Sequence, residues 1–177
     1  VRHTLERLDK GMFDTVAQLL SDTDRHLYVV GARITRSNAD YLFNHMQIIR
    51  PNVTMLGNSA NVWPQYLLDM DESSVLVIFD IRRYEAHLEK LAQVASGRGV
   101  TVVLFTDQWG SPIGKTANYS FHALVEAPSS WDSTIALQLI SETLIAEVQE
   151  ARWEESKERI EELERFFSST RIFRNQD

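Results

Sequence analysis

Apolar residues recur at helical spacing over Leu5, Leu8, Met12, Val16, Leu19 and Leu20, which predicts a helix over about 3–20. Gly11 weakens that helix and can split it, and Ser21-Asp22-Thr23-Asp24 stops it. The pattern then changes. Leu27-Tyr28-Val29-Val30 is a continuous apolar run closed by Gly31, the signature of a strand buried on both faces. A helical face follows at Ala39, Leu42, Phe43, Met46 and Ile49, with Pro51 beyond its end. Val53–Leu56 reads as a second strand, Trp63–Leu68 as a short helix, and Val75–Phe79 as the clearest strand of the chain. Leu88, Leu91, Ala92 and Ala95 mark a helix closed by Gly97 and Gly99. Two further strands lie near 101–106 and 120–125, a long helix runs from about Ser130 to Ala151, and a charged segment with Ile160, Leu163, Phe166 and Phe167 forms a last helix at about 152–168.

Strand and helix alternate throughout, which predicts an α/β fold: three layers, a doubly wound five-stranded parallel sheet in the order 2-1-3-4-5, and flanking terminal helices. The 177 residues fit one domain, with a core at about 27–151. In such a sheet ligands collect beyond the carboxyl ends of the strands, where the strand order reverses. The loops after residues 30, 56, 79, 105 and 125 are therefore the ones that can carry function.

Composition narrows the classes. Hydrophobic residues at 44% and charged residues at 24% are those of a globular chain. There is no cysteine, which excludes disulfides, thiolate metal sites and a cysteine nucleophile. No apolar run approaches the roughly 20 residues that span a bilayer, and the opening segment does not read as a signal peptide, so a cytoplasmic protein without a membrane partner is expected. Net charge is −7, with eight Glu against four Lys or Arg over residues 147–165. Affinity for nucleic acid rests on neutralising phosphates, so this chain is a poor unaided DNA ligand.

Four loops hold candidate chemistry. After the first strand, Gly31-Ala32-Arg33-Ile34-Thr35-Arg36-Ser37 places small and hydroxylic residues at a helix start, where N–H groups and hydroxyls can hold an anion, with Arg33 and Arg36 adding charge. An ordinary helix cap with surface arginines reads equally well. After the third strand, Asp80-Ile81-Arg82-Arg83-Tyr84-Glu85 sets paired guanidinium forks, suited to carboxylate or phosphate, directly beyond a buried strand. The plainer reading pairs them with Asp80 or Glu85. After the fourth strand, Thr106-Asp107-Gln108-Trp109-Gly110-Ser111-Pro112 reads by itself as a turn closed by Gly110 and Pro112, with Thr106 the ligand candidate it offers. After the fifth, Ser129 with Asp132 resembles a capping box, a mostly structural reading, although the same helix N-terminus could also receive an anion. The candidate ligand residues are thus Gly31, Arg33, Thr35, Arg36, Ser37, Asp80, Arg82, Arg83, Thr106 and Ser129.

Signals for catalysis are weak. The five histidines lack metal-ligand spacing and there is no nucleophile elbow, so neither metal nor cofactor is expected. His87, Glu85 and Glu142 are the candidate bases for proton abstraction, although His87 and Glu142 read more simply as surface positions.

Over about residues 5–150 these loops resemble the sugar-isomerase (SIS) domain, in particular that of RpiR-type transcriptional regulators. Such domains often carry Gly-x-Gly-x-Ser-x-x-x-Ala after the first strand; here the positions read Gly31, Arg33, Thr35 and Ala39. After the third strand they often show Ser-x-Ser-Gly-x-Thr, which clamps a sugar phosphate; here the positions read Asp80, Arg82, Arg83 and Glu85, so the hydroxyl clamp is replaced. Thr106-Asp107, Ser111-Pro112-Ile113 and Ala117-Asn118 fit the family. The resemblance implies a non-enzymatic effector-sensing domain, cut from a longer regulator, that binds a small anionic metabolite such as a sugar phosphate or carboxylate. It implies DNA contact only through a helix-turn-helix domain absent from this chain, and pairing with a second copy. An aldose–ketose phosphosugar isomerase and a non-catalytic assembly module are the alternatives. The apolar stripes at Leu5, Leu8 and Met12 and at Ile160, Leu163, Phe166 and Phe167 place the expected dimer contact on the terminal helices.

Overall fold

The runs Leu27–Gly31 and Val75–Phe79 are buried at every position, which is why neither alternates apolar with polar residues. In the computed structural model, which describes residues 1–173, they are the central strands of a five-stranded sheet. The elements are α1 (Arg2–Glu6), α2 (Lys10–Ser21), β1 (Leu27–Gly31), α3 (Arg36–Ile49), β2 (Val53–Met55), α4 (Trp63–Leu67), β3 (Val75–Phe79), α5 (Ala86–Gly97), β4 (Thr101–Asp107), β5 (Tyr119–Ala123), α6 (Ile135–Ala151) and α7 (Trp153–Thr170). Short 3-10 turns at Ala60–Val62 and Pro112–Lys115 precede α4 and β5. All strands are parallel in the order β2-β1-β3-β4-β5, as the alternation predicts. The order reverses at β1, between β2 on one side and β3 on the other.

The period of two along each strand divides the core into two layers. Leu27, Val29, Val77, Phe79, Phe105 and Phe121 face α2, α3 and α6. The Phe79, Phe105 and Phe121 rings step across three adjacent strands at 4.4 and 5.0 Å. Tyr28, Val30, Leu76, Ile78, Val102 and Leu104 face Trp63 and α5 instead.

Three expectations change. The N-terminal helix does break, but before Gly11 rather than at it. Asp9 caps α2 by accepting the Met12 N–H at 2.9 Å, and that cap starts a new helix in which Gly11 is a tolerated first-turn residue. The Leu8 and Met12 stripe is half-buried against the chain's own core, leaving Leu5 41% exposed. The long helix α6 starts at Ile135, not near Ser130, because residues 126–134 are used as a loop over the end of the sheet.

At the opposite end of the sheet, Arg50 is buried and donates to the backbone carbonyls of Leu20 (2.7 Å), Pro51 (3.1 Å) and Arg25, joining the ends of α2 and α3. Burial lowers its pKa to about 10. The α7 helix is held by its first turns. Ser156 donates to the Ile49 carbonyl, and Arg159 donates to those of Gln47 and Ile48 at 2.7 and 2.9 Å, satisfying carbonyls at the C-terminus of α3. Beyond that contact α7 carries exposed Phe166 and half-buried Ile160, Leu163 and Phe167.

Candidate functional site

A crevice of about 490 Å³ opens between the carboxyl ends of β1 and β3, at the reversal of strand order. The β1–α3 turn forms one wall, through Ala32, Arg33, Ile34 and Thr35. The β3–α5 loop forms another, through Ile81, Arg82, Arg83 and Glu85, and Ser130, Trp131 and Asp132 close it from above β5.

The first wall is built by close approach. A Cβ on Gly31 would meet the Thr35 carbonyl oxygen at 2.6 Å and Arg36 Cα at 2.8 Å, so glycine lets the chain turn immediately after the strand. Thr35 is fully buried. Its hydroxyl accepts the Ala32 N–H at 3.0 Å and donates to the Phe79 carbonyl at 2.6 Å. The hydroxyl expected to meet an anion is therefore spent on pinning this turn to the end of β3. Arg36 reaches away, to the Leu56 carbonyl at 3.2 Å and Asp40 at 4.0 Å, and the Ser37 hydroxyl returns to the Ile34 carbonyl at 3.1 Å. Gly31, Arg36 and Ser37 thus shape the wall without facing the crevice. Arg33 does face it, and its main-chain N–H donates to Glu85 Oε1 at 2.9 Å.

The second wall is organised by two buried carboxylates. Asp80 accepts the Ser111 hydroxyl at 2.6 Å and the Glu85 N–H at 3.3 Å; burial pushes its carboxyl up to about 6. Thr106, also fully buried, accepts the Ser111 N–H at 2.9 Å. Asp80 and Thr106 are thereby withdrawn from the ligand set into the scaffold. Asp107 accepts four donors: Arg82 N–H (2.6 Å), the Tyr84 hydroxyl (2.8 Å), Trp109 N–H (3.1 Å) and Gly110 N–H (3.0 Å). Burial, then the Asp107 carboxylate, raises the Tyr84 phenol well above its usual value. Arg83 adopts φ 66°, left-handed backbone that glycine takes most easily. It stands at the glycine position of the SIS-type pattern, so an arginine here holds a backbone conformation that favours glycine.

Arg82 lies with its guanidinium carbon 4.7 Å from the centre of the Trp109 ring and holds Asp132 with both edge donors: Nε to Oδ2 at 2.5 Å, and Nη2 to Oδ1. The Ser129–Asp132 capping box does not form. The N-cap of α6 is Thr134, the Asp132 carboxylate goes to Arg82, and the Ser129 hydroxyl bonds within its own loop to Trp131. Asp107, Trp131 and Asp132 lie in loops that the sequence singles out, but they read there as part of a turn and of a capping box rather than as site residues, because nothing local indicates their partners.

Of the ten candidates, Arg33, Thr35, Arg82 and Arg83 line the crevice. Three guanidiniums face two carboxylates, Glu85 and Asp132, a local positive excess in a chain of net charge −7. Neither the Arg33 nor the Arg83 side chain has a carboxylate partner among the described residues. The candidate bases are dispersed: His87 lies in a separate groove beside Trp63 and Pro64, and Glu142 accepts the Tyr41 hydroxyl on the outer surface. No group of three or more His, Cys, Asp or Glu among the described residues is placed to hold a metal ion, and no helix of the structure is long and apolar enough to cross a membrane.

Comparison with known proteins places this geometry. The sugar isomerase domain of an RpiR transcription factor from Sphaerobacter thermophilus has a TM-score of 0.85 at 19% identity, covering 93% of this chain and 91% of that one. The Vibrio vulnificus NanR protein complexed with ManNAc-6P gives 0.82 at 14% identity; the match covers 98% of this chain but 66% of NanR. A phosphoheptose isomerase from Francisella tularensis gives 0.68 at 12% identity, over 84% and 90% of the two chains. At these identities the likeness is one of fold. No curated protein matches the sequence. The family model of the SIS domain matches residues 19–147, and the chain belongs to the SIS-domain family.

Proposed function

We propose that this chain is the effector-sensing domain of an RpiR-type transcriptional regulator and binds a small anionic metabolite, a sugar phosphate or carboxylate, without turning it over. The observation that carries this reading is the clustering of Arg33, Arg82 and Arg83 around a crevice at the reversal of strand order, in an otherwise acidic chain. Guanidinium forks there take the place of the hydroxyl clamp of other SIS domains. The ligand printed for NanR, ManNAc-6P, supports a phosphorylated sugar. DNA contact is assigned to a helix-turn-helix domain outside this chain, and a cytoplasmic location follows from that role. The second copy of a paired regulator is assigned to the open stripe on α7, since the stripe on α1 and α2 is largely used by the chain's own core.

Isomerisation is the second reading, because phosphoheptose isomerase shares the fold. Against it, His87 and Glu142 lie outside the crevice, while Glu85 is engaged by the Arg33 N–H. The test is calorimetry with ManNAc-6P, hexose 6-phosphates and sugar carboxylates on the parent, Arg82→Ala and Arg83→Ala. A lost charge-assisted contact is worth roughly 1.5–3 kcal/mol, or about one to two decades of affinity. Unchanged affinity in both variants makes the arginines structural, and sugar-phosphate turnover abolished by Glu85→Gln makes the protein an isomerase.

A further inference from the structure

Arg82 and Asp132 meet in the geometry by which a guanidinium binds a phosphate: two edge N–H groups on two oxygens of one anion. We propose that residues 126–134 form an anion-gated strap, in which Asp132 and a phosphate group compete for Arg82, so that anion binding releases the strap from the crevice. This rests on the reading of the crevice as an anion site and adds how that site is regulated.

The two partners are held very differently. Arg82 is fixed without Asp132. Its main-chain N–H is on the buried Asp107, the neighbouring Tyr84 hydroxyl is on the same carboxylate, and the guanidinium rests over Trp109. When Asp132 leaves, the main-chain bond and the Trp109 ring remain to hold Arg82 at the crevice. Asp132 belongs to a segment with little else to hold it. The strap is anchored at its base, where the Ser133 N–H donates to the Val125 carbonyl at 2.8 Å and the Val125 N–H to Gln108 Oε1 at 3.1 Å. Between those points its side chains make only the local Ser129–Trp131 bonds, apart from the pair with Arg82, among the described residues. Trp131, at the tip beside Asp132, is 75% exposed although it lines the crevice.

The strength of the pair suits exchange. The Arg82 side chain is 49% exposed and that of Asp132 19%, and an ion pair open to solvent on the guanidinium side shifts an equilibrium by roughly fivefold. A soluble dianion can displace a single carboxylate held that weakly, whereas a buried pair could not be displaced so readily. Glu85, on the β3–α5 wall with Arg82, is the second carboxylate at the crevice, and it accepts the main-chain Arg33 N–H of the facing turn. Both donors are thus met by the chain's own carboxylates, but the two carboxylates are held differently: the Glu85 main chain is tied to buried Asp80, whereas between the anchors of its loop Asp132 has only local Ser129–Trp131 bonds around it among the described residues. The strap runs directly into α6, which packs on α2 and α3, so its release is delivered to the helical layer.

The experiment titrates the full chain with inorganic phosphate at constant ionic strength, by calorimetry, for the parent, Asp132→Asn and Arg82→Ala. Hydrogen exchange across 126–134 is followed in the same samples. Asp132→Asn is expected to bind phosphate about fivefold more tightly than the parent. Arg82→Ala should lose binding, and phosphate should raise exchange in the parent's strap to the level of Asp132→Asn. If the parent and Asp132→Asn bind alike, the crevice is an anion site but the strap does not gate it. If phosphate instead slows exchange across 126–134, the loop closes over the anion and the gate is overturned. If neither protein binds phosphate, the phosphate-site reading falls and takes the strap with it.

Discussion

The Thr35 hydroxyl donates to the Phe79 carbonyl at 2.6 Å, tying the turn after β1 to the end of β3 across 44 residues of sequence. It accepts the Ala32 N–H as well, so both of its roles are internal to the fold. The position that in the SIS-type pattern offers a serine hydroxyl here offers a structural pin. Thr35→Val should therefore destabilise the protein by about 1–2 kcal/mol in urea unfolding, because a buried carbonyl loses its hydroxyl donor and the isosteric methyl restores nothing. Thr35→Ser should recover most of the loss. An unfolding midpoint unchanged in the valine variant, combined with lost anion binding, would return the hydroxyl to the ligand set.

Asp80 makes stability depend on pH. Burial raises its carboxyl from 3.8 to about 6, so the folded state favours the neutral acid. The sign follows from the raised value. The stabilisation from this group is full below about 3.8 and is lost as pH rises through about 6. Relative to Asp80→Asn, which does not titrate, the parent should lose about 2 kcal/mol between pH 4.5 and 7.5. Urea midpoints of both proteins at those two pH values measure the difference directly. A constant gap between them would mean that Ser111 and the Glu85 N–H hold Asp80 ionised throughout.

Pairing through α7 has a geometric check. Ser156 and Arg159 attach only the first turns of α7 to the domain, and Phe166 beyond them is 55% exposed. A charged helix with a half-open apolar stripe gains stability by covering it. Light scattering should give a dimer for the intact chain and a monomer for one ending at Ala151. A dimer in both cases moves the contact off α7, and a monomer in both rejects pairing.

The strand order and the place of the crevice were legible in the sequence because they follow from local signals. The apolar runs at Leu27–Val30 and Val75–Phe79, separated by helical periodicity, require a parallel sheet covered on both faces. Residues just after those strands must then fall at its carboxyl edge. Arg33, Arg82 and Arg83 could be placed at the crevice for that reason, without any knowledge of their partners. Gly31, Thr35, Asp80 and Thr106 were legible only as positions. A small or hydroxylic residue beside a strand end serves a ligand or the scaffold equally well, and the choice depends on which buried N–H or carbonyl lies within 3 Å of it.

Tertiary structure alone decided the partnerships. Asp132 carries a capping-box signal at short range, and that signal lost to a guanidinium fifty residues away once the β5–α6 loop was folded over the end of the sheet. The start of α6 moved to Ile135 for the same reason. In the same way, Asp107 gathers four donors from two loops, an outcome no spacing encodes. Hydrophobic burial acts through periodicities of two and 3.6 that are written along the chain, and so it determined the layers. Hydrogen-bond and charge pairing act over about 3 Å between segments whose separation is set only after those layers pack, and so the chemistry of the crevice was settled last.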